Sequence, residues 1–389
     1  MSIHLLFIGD LFVHEKDFLP FLNNHGYKVT VLNTSYWNFP KRIAGTEIEV
    51  ENLYENSSLP QKLFPGNAGW FTKAGAYTLF GSTKLFNNKV QKIIKQEDIN
   101  IVYGGWGSRF LPEMRMVQRL GLPITYKFLT YPTYVRLLAE KVENAFNNHI
   151  ICRLDGRIVP TERMLHYLKS TFSISGGENI VFPELFSERC FYRKRLPRLS
   201  DSDCEPHIIF LGLFLYGSEI SSQFEEILRR RIHIHVCEGS DYEKMPLKSK
   251  YSSFFHTYRH FDHTKLLDGS FATFMTQFDA CLVTYNLYKP TTMNMFYNSV
   301  PSRFSFAFTA GIPIIMPYGY LLGCEEIVSK NQTGFTYRNY DDLKDKLFNI
   351  DLMKYYRNNA IRNKKISTLE NNFEKIDAFL KKCLANYKL

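Results

Sequence analysis

The stretch Val300-Pro-Ser-Arg-Phe-Ser-Phe-Ala-Phe-Thr-Ala-Gly-Ile-Pro313, continued by Ile314-Ile315-Met316-Pro317, carries four signals in a fixed order. Pro301 and Ser302 open a helix. The run to Thr309 continues it, Gly311-Ile312-Pro313 stops it, and an apolar strand follows. A helix N-terminus presents unpaired N–H groups and the positive end of its dipole to an anion. Arg303, in the first turn, adds a fixed charge that bridges phosphate oxygens. A helix–stop–buried-strand unit of this kind belongs to a parallel sheet covered by helices.

Working outward, the same alternation recurs. Upstream, Ala280–Thr284 reads as a strand, Phe271–Gln277 as a helix, Ile232–Val236 as a strand, Phe224–Arg230 as a helix, and His207–Leu211 as a strand ending at Gly212. In the first half, Ile3–Ile8, Tyr27–Leu32, Ile101–Tyr103, Ile124–Leu129 and Gly156–Val159 read as strands. Phe18–Asn24, Lys89–Lys95, Glu113–Leu120, Val135–Asn147 and the segment after Thr161 read as helices between them. Gly104, Gly105 and Gly107 read as a glycine-rich turn. The expected fold class is α/β, with two Rossmann-like domains facing a central cleft.

Arg193–Pro206, RKRLPRLSDSDCEP, is polar and proline-bearing and reads as a linker. The expected division is a first Rossmann-like domain over 1–192, a linker over 193–206 and a second Rossmann-like domain over 207–370. A C-terminal helix over 371–389 has Phe373, Ile376, Phe379, Leu380 and Cys383 on one face, placed to pack back on the first domain. A length of 389 residues with 45% apolar residues suits two such domains, each of roughly 150–200 residues.

The segment from Val300 resembles the "PxKxxEYxxxGxP" stretch of GT-B glycosyltransferases, with Arg303 at the usual lysine. Phe278–Asn286 (FDACLVTYN) resembles the preceding strand. Gly319–Leu347 resembles the glycine loop, "EIV" helix and "tGf" turn that follow. In the first half, Leu154–Lys169 and Ile180–Phe191 resemble further units of the same superfamily. The order of these motifs over most of the chain resembles the xanthan-type glucuronosyltransferase group. The resemblance implies a glycosyltransferase that moves a hexose from a nucleotide sugar, a UDP-sugar being expected, with no other cofactor and no metal. Its acceptor would be a glycan, a lipid-linked sugar or another surface polysaccharide of a bacterial type. A GT-B-fold nucleotide-sugar epimerase and a silent glycan-binding partner subunit are the alternatives.

On the donor side the candidates are Gly212, Gly217, Tyr258, His263, Ser302, Arg303, Glu325 and Glu326. The family often holds the ribose with a Glu five residues before the Gly of GxP. Here that position is Phe306, which leaves Glu325 or Glu326 for the task. For the acceptor side, Asp10, His14 and Glu15 follow the first strand and are candidate bases, with Asp10 foremost. A retaining reaction would need none, and the sequence leaves the stereochemistry open. Trp106 is a candidate for stacking on a sugar, Arg109 for acceptor charge, and Trp70, in the aromatic stretch Leu59–Lys89, for an interfacial or lipid contact.

The net charge of +10 admits nucleic acid, anionic lipid or phosphorylated substrates. No nucleic-acid motif is present, so no nucleic-acid partner is expected, and an anionic membrane surface is a further candidate partner. No apolar run reaches the about 18–20 residues of a spanning helix, and the first residues lack a basic leader. Seven scattered Cys, none spaced CxxC, suit a reducing cytoplasm. The protein is therefore expected in the cytoplasm, peripherally at the inner face of the membrane. His256, His260 and His263 in HTYRHFDH have only Asp262 as an acidic neighbour within the segment and are not read as a metal site.

Overall fold

A computed structural model describes residues 3–34, 39–53, 55, 82–106, 110–132, 137–212, 219–285, 297–364 and 367–387. The chain forms two compact units, Met1–Pro183 with Phe373–Leu389, and Glu184–Asn372. Residues 193–206 fall inside the second unit.

In the first unit the strands are β1 (His4–Gly9), β2 (Lys28–Asn33), β3 (Val50–Asn52), β4 (Ile101–Gly105), β5 (Ile124–Lys127), β6 (Gly156–Val159) and β7 (Glu178–Val181). Among the described residues they form one sheet in the order β3-β2-β1-β4-β5-β6-β7, every pair parallel. Chain direction across the sheet reverses between β1 and β4, which makes their carboxyl ends a topological switch point. Leu6, Ile8, Val102, Ile124 and Val159 supply strand faces to a core closed by Phe86, Val90, Leu111, Met114, Ile150 and Met164 from the helices. Phe86, at the end of the aromatic stretch, is thus a core residue and unavailable to any surface.

Two sequence expectations are corrected here. The first helix begins at Glu15, not Phe18, so His14 and Glu15 open it. Gly104 and Gly105 are the last residues of β4, not a turn. A Cβ on Gly104 would come within 2.9 Å of Met114, and one on Gly105 within 3.1 Å of the Lys127 Cβ. Both glycines answer close packing across the strand rather than chain reversal.

Thr161 caps its helix, its hydroxyl accepting from the Met164 N–H at 3.1 Å. The last helix, Leu369–Tyr387, lays Ile376, Phe379, Leu380 and Cys383 on the first unit's sheet. A Cβ at Gly156 would stand 2.7 Å from both Phe379 and Cys383, so only glycine lets the helix approach β6 this closely. The Tyr27 hydroxyl donates to Asp377 at 2.8 Å and fastens the same helix to β2.

The second unit repeats the plan with β8 (His207–Phe210), β9 (His233–Cys237), β10 (Phe255–Tyr258), β11 (Ala280–Leu282), β12 (Ile314–Pro317) and β13 (Gly334–Tyr337). Their order is β10-β9-β8-β11-β12-β13, again all parallel, with the reversal between β8 and β11. The helices Glu219–Leu228 and Tyr340–Phe348 close one core through Ile220, Phe224, Leu343 and Leu347. Among the described residues no helix is long and apolar enough to cross a membrane.

Candidate functional site

In the second unit the helix Ser302–Ala310 starts beside the switch point between β8 and β11. Pro301 occupies its N-cap in an extended conformation and offers no side-chain acceptor. The first-turn N–H groups therefore have no cap from that residue. The helix ends at Gly311, whose φ of 58° is the left-handed conformation that glycine adopts without strain. Ile312-Pro313 then leads into β12.

Arg303 projects across the switch point. Its guanidinium lies 4.6 Å from the Tyr285 ring and 5.0 Å from the Phe210 ring. Phe210 ends β8 and Tyr285 follows β11, so the charge sits over the gap between these two strands. Each such contact is worth about 0.5–2 kcal/mol, and together they fix a long side chain before any ligand arrives. Nη1 reaches the Thr284 carbonyl at 3.5 Å, and a Cβ on Gly212 would meet Nη2 at 3.5 Å. A Cβ there would therefore be in ordinary van der Waals contact with the guanidinium. Among the described residues no carboxylate pairs with Arg303.

The loop that carries Tyr285 is held from behind. Buried Gln223 donates to the Tyr285 carbonyl at 2.9 Å and accepts from the Thr284 hydroxyl at 2.8 Å. Nothing in the sequence singled out Gln223. Below Arg303, burial pushes the Cys281 thiol up to about 12 even though the Arg303 charge pulls it down.

The remaining donor-side candidates divide. Ser302 stands half-buried in the first helical turn beside Arg303. Tyr258 is buried in an aromatic group with Phe271 and Phe274 and directs its hydroxyl to the Phe210 carbonyl at 3.5 Å. His263 is exposed and opens a short helix capped by Asp262. Glu325 accepts from the Gly319 N–H at 2.6 Å and orders the turn after β12, with Glu326 next to it on the helix Leu322–Asn331. Gly217 lies outside the described residues. Phe306 stacks on Phe186 at 4.9 Å and meets Phe271 edge-on at 5.7 Å. Its position faces apolar packing, where a carboxylate would have to be desolvated.

In the first unit Asp10, His14 and Glu15 all follow β1 and are 7%, 3% and 5% exposed. The structure adds Lys127, the last residue of β5, which is 2% exposed. Its Nζ lies 3.0 Å from His14 Nδ1 and 3.7 Å from Glu15 Oε1, and His14 Nδ1 lies 3.5 Å from the same carboxylate oxygen. Burial acts to raise the Glu15 carboxyl, but Lys127 and His14 outweigh it and hold the group below its usual value.

Trp106 follows β4 at the same edge, 37% exposed, its ring 5.0 Å from Phe12. Its φ of 109° is a conformation that L side chains avoid. Arg109 and Trp70 lie outside the described residues. Trp106→Gly is expected to be more stable than Trp106→Ala by about 1 kcal/mol, because only glycine relieves that backbone. Urea unfolding of both variants measures the difference, and the ordinary order, alanine above glycine, would show that the backbone is not held there.

No family model matches the chain, and no curated protein matches it. Solved structures do. Sucrose-phosphate synthase from Thermosynechococcus elongatus superposes with a TM-score of 0.69 at 13% identity, over 99% of this chain and 100% of that one. A glycosyltransferase from Rickettsia africae gives 0.64 at 13%, over 99% of each chain. The trehalose-6-phosphate protein of E. coli bound with UDP-2-fluoro glucose gives 0.63 at 12%, over 98% of this chain and 99% of that one. The likeness is one of fold: the chain has the GT-B fold, two Rossmann-like units each built on a parallel sheet.

Proposed function

We propose that the protein is a glycosyltransferase that takes a sugar from a nucleotide diphosphate donor, a UDP-sugar foremost. The observation that carries this reading is Arg303, pre-ordered by two aromatic rings at a sheet switch point, beside a helix N-terminus and without a protein counter-charge among the described residues. A diphosphate leaving group gains negative charge as its bond to the sugar breaks, and a fixed cation with first-turn N–H groups stabilises that charge. Ser302 adds a hydroxyl in the same turn. The E. coli neighbour bound to UDP-2-fluoro glucose supports the choice of nucleotide.

Phe306 cannot hold a ribose, so Glu325 or Glu326 is proposed for that contact. Asp10 is proposed as the base of an inverting reaction. His14, with its Nδ1 engaged by Lys127, is assigned to positioning, together with Glu15. Trp106 is proposed as the acceptor's stacking surface. A glycan or lipid-linked acceptor, and within such enzymes the xanthan-type group, follow from the motif order alone.

Incubating the protein with UDP-, GDP- and CMP-sugars tests the reaction class. Slow release of free nucleoside diphosphate, with the sugar's configuration otherwise unchanged, is the expected result. Conversion of the donor to an epimer, or no consumption of any donor, would overturn the reading.

A further inference from the structure

Strands β8, β9 and β10 bring four histidines to one face of the second sheet, at the amino-terminal end, away from Arg303. Register places His207 opposite His233 and His235 opposite His256. Period-two alternation keeps all of them on one side. Their rings stack: His207 on His233 at 4.0 Å and 13°, and His235 on His256 at 4.6 Å and 22°. His207 Nδ1 lies 2.9 Å from His235 Nε2, and His233 Nδ1 lies 2.8 Å from His256 Nε2. The inner nitrogens of His207 and His233 are thereby occupied, and both Nε2 atoms turn outward in the same direction.

Two carboxylates meet them. Asp203 Oδ2 stands 2.9 Å from His207 Nε2 and 3.7 Å from His233 Nε2. Glu205 Oε2 stands 2.9 Å from His233 Nε2. Each carboxylate is held by its other oxygen: Asp203 Oδ1 accepts from the Glu205 N–H at 3.0 Å, and Glu205 Oε1 accepts from Arg231 Nε at 2.7 Å. Asp203 is exposed while both histidines are buried, which gives an ion a way in from solvent.

The geometry points to a site for a divalent transition-metal ion of the zinc class, bound by His207 Nε2, His233 Nε2 and Asp203 Oδ2, which all lie within 4.8 Å of one another, with water completing the coordination and Glu205 flanking His233. Ligands at about 2.0–2.1 Å in a tetrahedron stand about 3.3 Å apart, and the 2.9 and 3.7 Å separations of Asp203 Oδ2 from the two rings bracket that spacing. The Asp203 carboxylate, with Glu205 beside His233, offsets the ion's charge, and two imidazoles suit its borderline softness. His235 and His256 accept from the Nδ1–H groups of the ligating rings and fix their tautomers, as outer-shell partners of metal-bound histidines do. Because the site lies at the opposite strand ends from Arg303, its role is to tie residues 203–205 to the sheet rather than to join the chemistry.

The test uses untagged full-length protein, stripped with EDTA and titrated with Zn²⁺ alone by calorimetry. Co²⁺ serves as a second probe through the visible absorption of its tetrahedral complexes. One equivalent should bind, the melting temperature should rise on binding, and Co²⁺ should give the tetrahedral spectrum. Asp203→Asn with Glu205→Gln should weaken binding about 100-fold, while the stripped melting temperature confirms that the variant folds. Asp203→Asn alone provides the same readout if the pair does not fold. Arg303→Ala should bind the ion as the unsubstituted protein does. Absence of one-equivalent binding, or undiminished binding by the carboxylate variants, would overturn the proposal.

Discussion

Arg303→Ala is expected to lower turnover of the nucleotide-sugar donor by about 10²–10³-fold, the loss seen when one donor to a developing oxyanion is removed. The fold should survive, since the side chain is only half-buried and spans no core contact beyond the Phe210 and Tyr285 faces. Loss of those contacts should cost about 1–2 kcal/mol, visible as a modest fall in unfolding midpoint. Arg303→Lys should recover part of the rate. It restores the charge, but an ammonium cannot stack between two rings or bridge two oxygens. Gln223→Leu offers a related readout: freeing the Thr284–Tyr285 loop should raise the donor KM more than it lowers kcat. A full-rate Arg303→Ala enzyme would remove Arg303 from the donor site.

Lys127→Met should have the largest effect on stability, about 3–5 kcal/mol, because it leaves the Glu15 carboxylate buried without its cation. Adding Glu15→Gln should recover most of that loss, since the uncompensated charge then disappears. The pH dependence gives the sign. With Lys127 in place, the Glu15 carboxyl is held below its usual value of 4.5. Its contribution is therefore present above that value and fades as pH falls through the depressed one. Without Lys127, burial dominates and raises the carboxyl, so the penalty should shrink as pH falls from 7 toward 5. Urea unfolding of the single and double variants at pH 7 and pH 5 measures both. An equal loss at the two pH values would mean that the three side chains are not coupled.

The sequence carried the layer plan because each strand–helix unit is signalled locally. Gly311-Ile312-Pro313 stops a helix wherever it occurs, and Thr161 caps one three residues from its bonding partner. Pairing across strands has no such local mark. Lys127 lies 113 residues from His14, and only the parallel register β1–β4–β5 brings them together. The same holds for His207, His233, His235 and His256, whose spacing in the chain fits no ligand motif. Gly104-Gly105 reads locally as a turn because glycine serves two physical needs, positive φ and close approach. Only the packing of Met114 and Lys127 shows which one applies. Phe306 was legible as a departure from the family pattern, and its stacking on Phe186 gives the departure a physical meaning.

The central claim is that Arg303 and its helix N-terminus form a nucleoside-diphosphate site. Calorimetric titration of the protein and of Arg303→Ala with UDP, GDP and CMP tests it most directly. The account predicts that a diphosphate binds in one equivalent, UDP foremost, that CMP binds far more weakly, and that Arg303→Ala loses about 100-fold in affinity, about 2.7 kcal/mol. Binding of no nucleotide, or equal binding by both proteins, would contradict it.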